Sequence, residues 1–155
     1  MHYHLERLIK RTAPFKSPYN KAEIGIYLLA NLMNNQKQQL FKEYGITFQQ
    51  YNLLRILRGQ FPKATNINLL KERMLDRMSD TSRIVDRLVK MNLVTKEPNM
   101  IDKRNTDVLI TEVGLDLLNQ IEQRKEFHQT LLCEFEQDEI EILNELIDKA
   151  LSRVE

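Results

Sequence analysis

The sequence predicts a mainly α fold with a small β-hairpin wing, and three observations predict it. Apolar residues recur at helical spacing along most of the chain. The period shortens to two only near residues 93–97 and 107–110. Gly and Pro number four each, too few for a loop-rich sandwich. The 155 residues make one domain with a buried core, and 42% apolar against 29% charged content excludes a disordered chain. A single cysteine, Cys133, excludes an internal disulfide framework and any cysteine-based zinc finger. No apolar run approaches the roughly 20 residues that span a bilayer. The opening MHYHLERLIKRTAP lacks the apolar centre of a secretory signal. A cytoplasmic chain with no membrane partner is the expectation.

Residues 1–20 lack a clean period and contain Pro14 and Pro18, which reads as an arm or short helix followed by an extended approach. The first long helix is expected from about Lys21 to Tyr44, with Ile24, Tyr27, Leu28 and Leu32 in phase and Gly45 as a left-handed stop. Thr47 and Gln50 have the spacing of a capping box, opening a second helix with Tyr51, Leu54 and Leu57 on its apolar face and Gly59 as its stop. A short third helix, capped by Thr65 or Asn66, turns Ile67, Leu70 and Met74 inward. A fourth starts at Ser79 or Asp80, with Ile84, Val85, Leu88 and Met91 facing the core. Residues 93–97 and 107–110 form the hairpin, joined by a turn-rich connection. Thr111 caps a long helix expected from about Glu112 to Phe135, and a last helix runs from Gln137 to Val154 with Ile140, Leu143 and Ile147 near heptad spacing.

Three helices followed by a hairpin have the layout of a winged helix-turn-helix. The second helix of such a turn must be held by one apolar face while short polar and basic side chains point outward. B-DNA's major groove, about 12 Å wide, admits a helix that leads with its N-terminal residues. The fourth helix meets this demand: Ser79, Asp80, Thr81, Ser82 and Arg83 crowd its first turns, and Arg83 and Arg87 lie one turn apart. The hairpin tip, Asp102-Lys103-Arg104, carries two cations suited to a narrow minor groove, with Asp102 expected to orient Arg104 through a charge-assisted hydrogen bond. Double-stranded DNA is the expected partner. Charge is distributed accordingly: residues 47–114 hold 12 basic and 8 acidic side chains, whereas residues 115–155 hold 4 and 11. No nucleophile elbow, phosphate loop, HExxH or paired catalytic carboxylate occurs, so neither an enzyme nor a cofactor is expected. Asp86 and Glu72 read as ion-pair partners of nearby cations.

Tyr44 to Gly114 resembles the core of the MarR (multiple antibiotic resistance regulator) family. The stretches YGITFQQYNLLRIL, LLKERMLDRMSDTSRIVDRLVKMNLV and IDKRNTDVLITEVG carry the resemblance. Matching positions are Gly45-Ile46-Thr47, Ser82 to Leu88, Leu93-Val94, Asp102 with Arg104, and Ile110-Thr111 with Gly114. Asn92 departs from the family's usual Gly, a mild departure because Asn tolerates a left-handed turn. The resemblance implies a homodimeric transcription regulator, a repressor by the family's usual logic, on a pseudo-palindromic operator. It also implies relief by a small aromatic or phenolic effector, with Tyr27 and Tyr51 as neighbours of its pocket. The residues support the dimer independently, because the stripes of the first and last helices most simply bury against a two-fold mate. The expected organisation is a DNA-binding lobe at 46–111 between dimerisation helices at 1–45 and 112–155. The alternative is a dimeric small-molecule sensor or interaction module without DNA binding.

Several residues invite stronger readings than they support. His2 and His4 read as a frayed terminus rather than a metal site. His128 reads as a packed or interfacial histidine, and Cys133, beside Glu134 and Glu136, as structural. Met74, Met78 and Met91 read as core or near-core fillers.

Overall fold

The computed structural model describes residues 4–100, 102 and 104–154. The order is α1 (His4–Leu8), α2 (Pro18–Glu43), α3 (Phe48–Arg58), β1 (Thr65–Asn66), α4 (Ile67–Arg73), α5 (Thr81–Lys90), β2 (Val94–Pro98), β3 (Thr106–Ile110), α6 (Glu112–Glu122), α7 (Lys125–His128) and α8 (Gln137–Leu151). This is a winged helix-turn-helix flanked by helices on both sides.

Local chemistry explains most boundaries. Thr47 and Gln50 form the reciprocal capping box of α3. The side chains of Asn66, Asp80 and Thr111 accept from the amides of Leu69, Arg83 and Gly114 at the starts of α4, α5 and α6. Gly45 (φ +68°) and Asn92 (φ +58°) both take the left-handed conformation after a helix. Ser17 caps α2, and Pro18 follows at its first turn, where its missing N–H costs no bond. The helix therefore begins at Pro18, ahead of the expected Lys21.

The core is one cluster. Leu53, Leu54 and Leu57 of α3, Leu70 of α4, Val85 and Leu88 of α5, Val108 and Ile110 of β3, and Leu118 and Ile121 of α6 are all buried, with Phe41 closing it from α2. The strands form an antiparallel sheet in the order β1-β3-β2. Val94 pairs with Ile110, Lys96 with Val108 and Pro98 with Thr106. Alternation puts Val94 and Lys96 on the same face, toward the helices.

Three expectations are corrected. The wing is a three-stranded sheet rather than a two-stranded hairpin, because Thr65 and Asn66 pair with Val108 and Asp107 before α4 begins. The helix expected over 112–135 is broken: α6 stops at Glu122, α7 covers one turn, and α8 follows. Arg124 adopts an extended backbone at the break while its guanidinium reaches Glu43 of α2 and Glu126. The break lets Phe127 turn back onto Tyr51. Met91, expected in the core, ends α5 on the exposed side. Gly59 closes α3 at the position expected of it, in a right-handed conformation.

Candidate nucleic-acid interface

α5 has one buried face, Thr81, Val85 and Leu88, and one open edge. Ser82, Arg83 and Arg87 are exposed on that edge. The loop before the helix is tied down by Asp76, whose Oδ1 accepts the Met78 amide at 3.0 Å and whose Oδ2 accepts the Ser79 hydroxyl at 2.9 Å. The Asp80 carboxylate then accepts the Arg83 amide at 3.1 Å. Together these residues edge an open depression of about 350 Å3, lined by Ser79, Asp80, Arg83 and Arg87 from one side and by Thr47 and Gln49 from the start of α3. Thr47 and Gln49 were not among the expected contact residues, because the capping role of Thr47 accounts for it locally and nothing in the sequence places α3's first turn beside α5.

Two of the expected contact residues at the head of this helix also serve the helix itself. Thr81 is buried, and its hydroxyl donates inward to the Ser79 carbonyl at 3.5 Å. A residue in the first helical turn sits about 100° from its neighbour, so Thr81 faces the core while Ser82 faces out. Asp80 uses one carboxylate oxygen, Oδ1, for the cap and stays exposed at the edge of the depression. Met78, expected as a near-core filler, is 93% exposed. Its backbone belongs to the Asp76-centred turn, so its side chain has no core to enter.

The wing is built around three polar side chains. Asn99 donates from Nδ2 to both carboxylate oxygens of Asp107, at 2.9 and 3.0 Å, and its Oδ1 accepts the Asp102 amide at 2.7 Å. Asp102 in turn accepts the Arg104 amide and the Asn105 side chain, each at 3.0 Å. Asp102 thus orients Arg104 through the backbone and not through its guanidinium. The result is a pre-shaped turn with Arg104 exposed. Lys103 lies outside the described residues. At the wing's base Lys96 Nζ pairs with Asp86 Oδ1 of α5 at 2.7 Å, which couples sheet to helix and accounts for Asp86 as an ion-pair partner. Glu72 has no such pair within 4 Å among the described residues; it stands exposed at the end of α4, where water competes with any partner.

The two tyrosines expected beside an effector are apart in environment. Tyr51 is buried, stacked on Phe41 at 4.5 Å and edge-on to Phe127 at 5.8 Å. Its hydroxyl donates to Glu122 Oε1 at 3.0 Å. Burial, and then the neighbouring Glu122 carboxylate, hold the phenol well above its ordinary pKa. Tyr27 is 65% exposed on α2. Neither lines the cavity of about 530 Å3 between α2 and α3, bordered by Asn35, Gln38, Gln39, Lys42, Ile46 and Thr47. Glu122 is the hub of the junction between lobe and outer helices. Arg58 donates to both its oxygens at 2.8 and 2.9 Å and holds its carboxyl below the usual range. The Glu122 carbonyl lies 2.7 Å from His128 Nε2. Lys37 stacks on the Phe127 ring at 4.4 Å and donates to its carbonyl; desolvation lowers the Lys37 pKa.

Among the described residues no group of three or more His, Cys, Asp and Glu side chains stands close enough to hold a metal. No described helix is long and apolar enough to cross a membrane.

The MarR family model matches residues 46–106 of this chain. The multiple antibiotic resistance protein MarR of Escherichia coli strain K12 is 31% identical over 129 residues, covering 79% of this chain and 88% of that protein. Among solved structures, a MarR-like transcription regulator from Bacillus cereus superposes with a TM-score of 0.76 at 21% identity, covering 90% of this chain and all of that one. A mutant E. coli MarR complexed with operator DNA superposes with a TM-score of 0.73 at 24% identity, covering 88% of this chain and 99% of that one.

Proposed function

This chain belongs to the MarR family, and from that premise we propose that it is a sequence-specific DNA-binding transcription regulator acting as a homodimer. The observation that carries the reading is the open edge of α5. Ser82, Arg83 and Arg87 are presented on a helix whose opposite face is locked into the core, beside an open depression lined in part by Arg83 and Arg87. Short polar and guanidinium groups at a helix head are the chemistry of major-groove readout. Its E. coli relative in the operator complex is a DNA binder of the same fold, which supports the reading.

Roles follow from position. Arg83 and Arg87, with Ser79 and Ser82, contact base edges and flanking phosphates. Asp80 and Asp102 shape the backbone from which these groups project. Lys103 and Arg104 enter the minor groove. Residues 46–111 form the DNA-binding lobe, and 1–45 with 112–155 supply the dimer helices. Two-fold symmetry then sets paired recognition helices about 10 base pairs apart on a pseudo-palindromic operator. The chain acts in the cytoplasm as a repressor. A small aromatic or phenolic effector relieves it by shifting the population toward a spacing that misfits the operator. Tyr51, at the junction of lobe and outer helices, lies where such a shift would be felt; Tyr27 borders the dimer side of α2.

Selection of bound sites from random duplex tests the reading, and the expected product is a two-fold motif. Affinity for it falls steeply as salt rises, because several phosphates are neutralised. Arg83→Ala weakens binding and relaxes preference at one base pair by about 1–3 kcal/mol, whereas Arg104→Ala weakens binding chiefly at the flank. A salt-independent, motif-free outcome returns the chain to a sensor or interaction module without DNA binding.

A further inference from the structure

The exposed apolar side chains divide by location. Ile26 and Tyr27 on α2, and Ile142, Leu146 and Leu151 on α8, lie on the helices that the proposed dimer covers. Met78 does not. It is 93% exposed, on the winged lobe, two residues ahead of the cap of α5. Its backbone is fixed, because Asp76 accepts its amide at 3.0 Å and also binds the Ser79 amide at 3.1 Å and hydroxyl at 2.9 Å. A long apolar side chain is thus held in water beside Ser79, which lines the same depression as Arg83 and Arg87.

The occupant that fits is set by chemistry. A helix entering the major groove leads with its N-terminal end. The edges of base pairs there are hydrogen-bonding groups, with one apolar exception, the C5 methyl of thymine. Between residues 76 and 87 three arginines (Arg77, Arg83, Arg87) alternate with three aspartates, but Asp76 and Asp80 accept local amides and Asp86 pairs with Lys96, so the exposed arginines are the groups left to meet a partner, which suits duplex DNA better than an apolar protein surface. The thioether chain has three rotatable bonds and adapts to a methyl group without demanding one fixed geometry. Met100 is equally exposed but stands on the wing, whose minor-groove approach meets no methyl. We infer that Met78 is a specificity-determining residue that packs against a thymine methyl in each half-site. The inference rests on the DNA-binding reading above.

The test uses the full-length protein and the selected operator. Affinity is measured for that duplex and for copies in which each thymine is replaced singly by uracil, which removes the methyl and nothing else. The wild-type protein is expected to lose about fourfold at one thymine of each half-site, the order of burying one methyl group. Met78→Ala binds thymine and uracil duplexes equally at that position, and Met78→Leu keeps most of the difference. Since Met78 makes no core contact, neither variant should unfold, and thermal midpoints check this. The inference is overturned if the selected half-site has no thymine, if every uracil copy binds as the parent does, or if Met78→Ala keeps the wild-type penalty. Failure to bind any duplex overturns the DNA-binding reading and this inference together; uracil indifference in a bound duplex overturns this inference alone.

Discussion

Glu122 shows how one side chain joins two parts of the molecule. Its carboxylate takes a two-point contact from Arg58 and a hydrogen bond from the buried Tyr51 hydroxyl, while its carbonyl engages His128. About a quarter of the Glu122 side chain remains accessible, so the ion pair is partly screened and its net value is modest. Removal of the carboxylate is a different matter, because it strands a buried hydroxyl and a half-buried guanidinium. Glu122→Ala is expected to destabilise the fold by about 1–3 kcal/mol. Glu122→Gln, which keeps an acceptor for Tyr51 but no charge, costs less. The pH dependence follows from sign. The Glu122 carboxyl titrates lower when folded than when unfolded, chiefly because Arg58 donates to its ionised form. In the window below the unfolded carboxylate value of about 4.3 the unfolded chain binds more protons. The stabilisation is therefore present near neutrality and lost as pH falls through the folded pKa. Thermal unfolding of wild type and Glu122→Gln at fixed protein concentration should show a gap at pH 7 that narrows as pH falls below the ordinary carboxylate range. A gap of constant size across that range would rule out this ion pair as its source.

At the scale of elements, the tightest constraint is where α6 leaves the wing. A Cβ on Gly114 would stand 2.4 Å from the Leu93 carbonyl oxygen and 2.7 Å from Ile110 Cγ1. That carbonyl is already fixed, since it accepts the Thr111 amide at 3.1 Å, and the Thr111 hydroxyl donates to the Asn92 carbonyl at 2.8 Å. Alanine in a helix gains about 1 kcal/mol over glycine from backbone entropy. Overpacking against backbone costs about 1–3 kcal/mol or more. The clash wins, so Gly114→Ala lowers the denaturant midpoint with an unchanged slope; a midpoint equal to wild type would mean that α6 can slide. Elements whose ends are written in adjacent side chains were legible from the sequence. Thr47 with Gln50, Asn66, Asp80, Thr111, Gly45 and Asn92 all act at the positions expected of them. What was not legible is tertiary. β1 is two residues long and has no period to detect. The break at Gln123 and Arg124 contains no Gly or Pro and owes its form to partners on α2 and α3. In the candidate interface, the outward Arg83 and Arg87 and the exposed Arg104 were legible from helical phase and turn chemistry. Thr81's burial follows the same helical phase, in line with Val85 and Leu88, and is masked in the sequence only by its polar type; the approach of Gln49 depends on how α3 and α5 cross.

The whole molecule leaves a large apolar surface without a mate in the single chain. α8 has no buried residue along its 15 positions, and Ile142, Leu146, Ile147 and Leu151 are exposed on it. α2 adds Tyr19, Ile26 and Tyr27. An isolated helix of that length is marginal in water, so packing must supply most of its stability. A two-fold partner meets this need economically, since each buried leucine is counted twice and contributes about 1.5–3 kcal/mol per copy. Leu146, 59% exposed in the single chain, is the position to charge. Leu146→Asp should leave the core of the DNA-binding lobe intact, because none of that cluster lies on α8. Sedimentation should then report the 18.5 kDa single chain where the wild type sediments at twice that mass. Operator affinity should fall by about 10²–10⁴, the loss of avidity when one lobe no longer delivers the second. Binding to an isolated half-site should change little, which separates a broken dimer from a damaged lobe. A wild-type chain that sediments at 18.5 kDa, or a Leu146→Asp variant that keeps both its mass and its operator affinity, would show that α8 is covered by something other than a second copy.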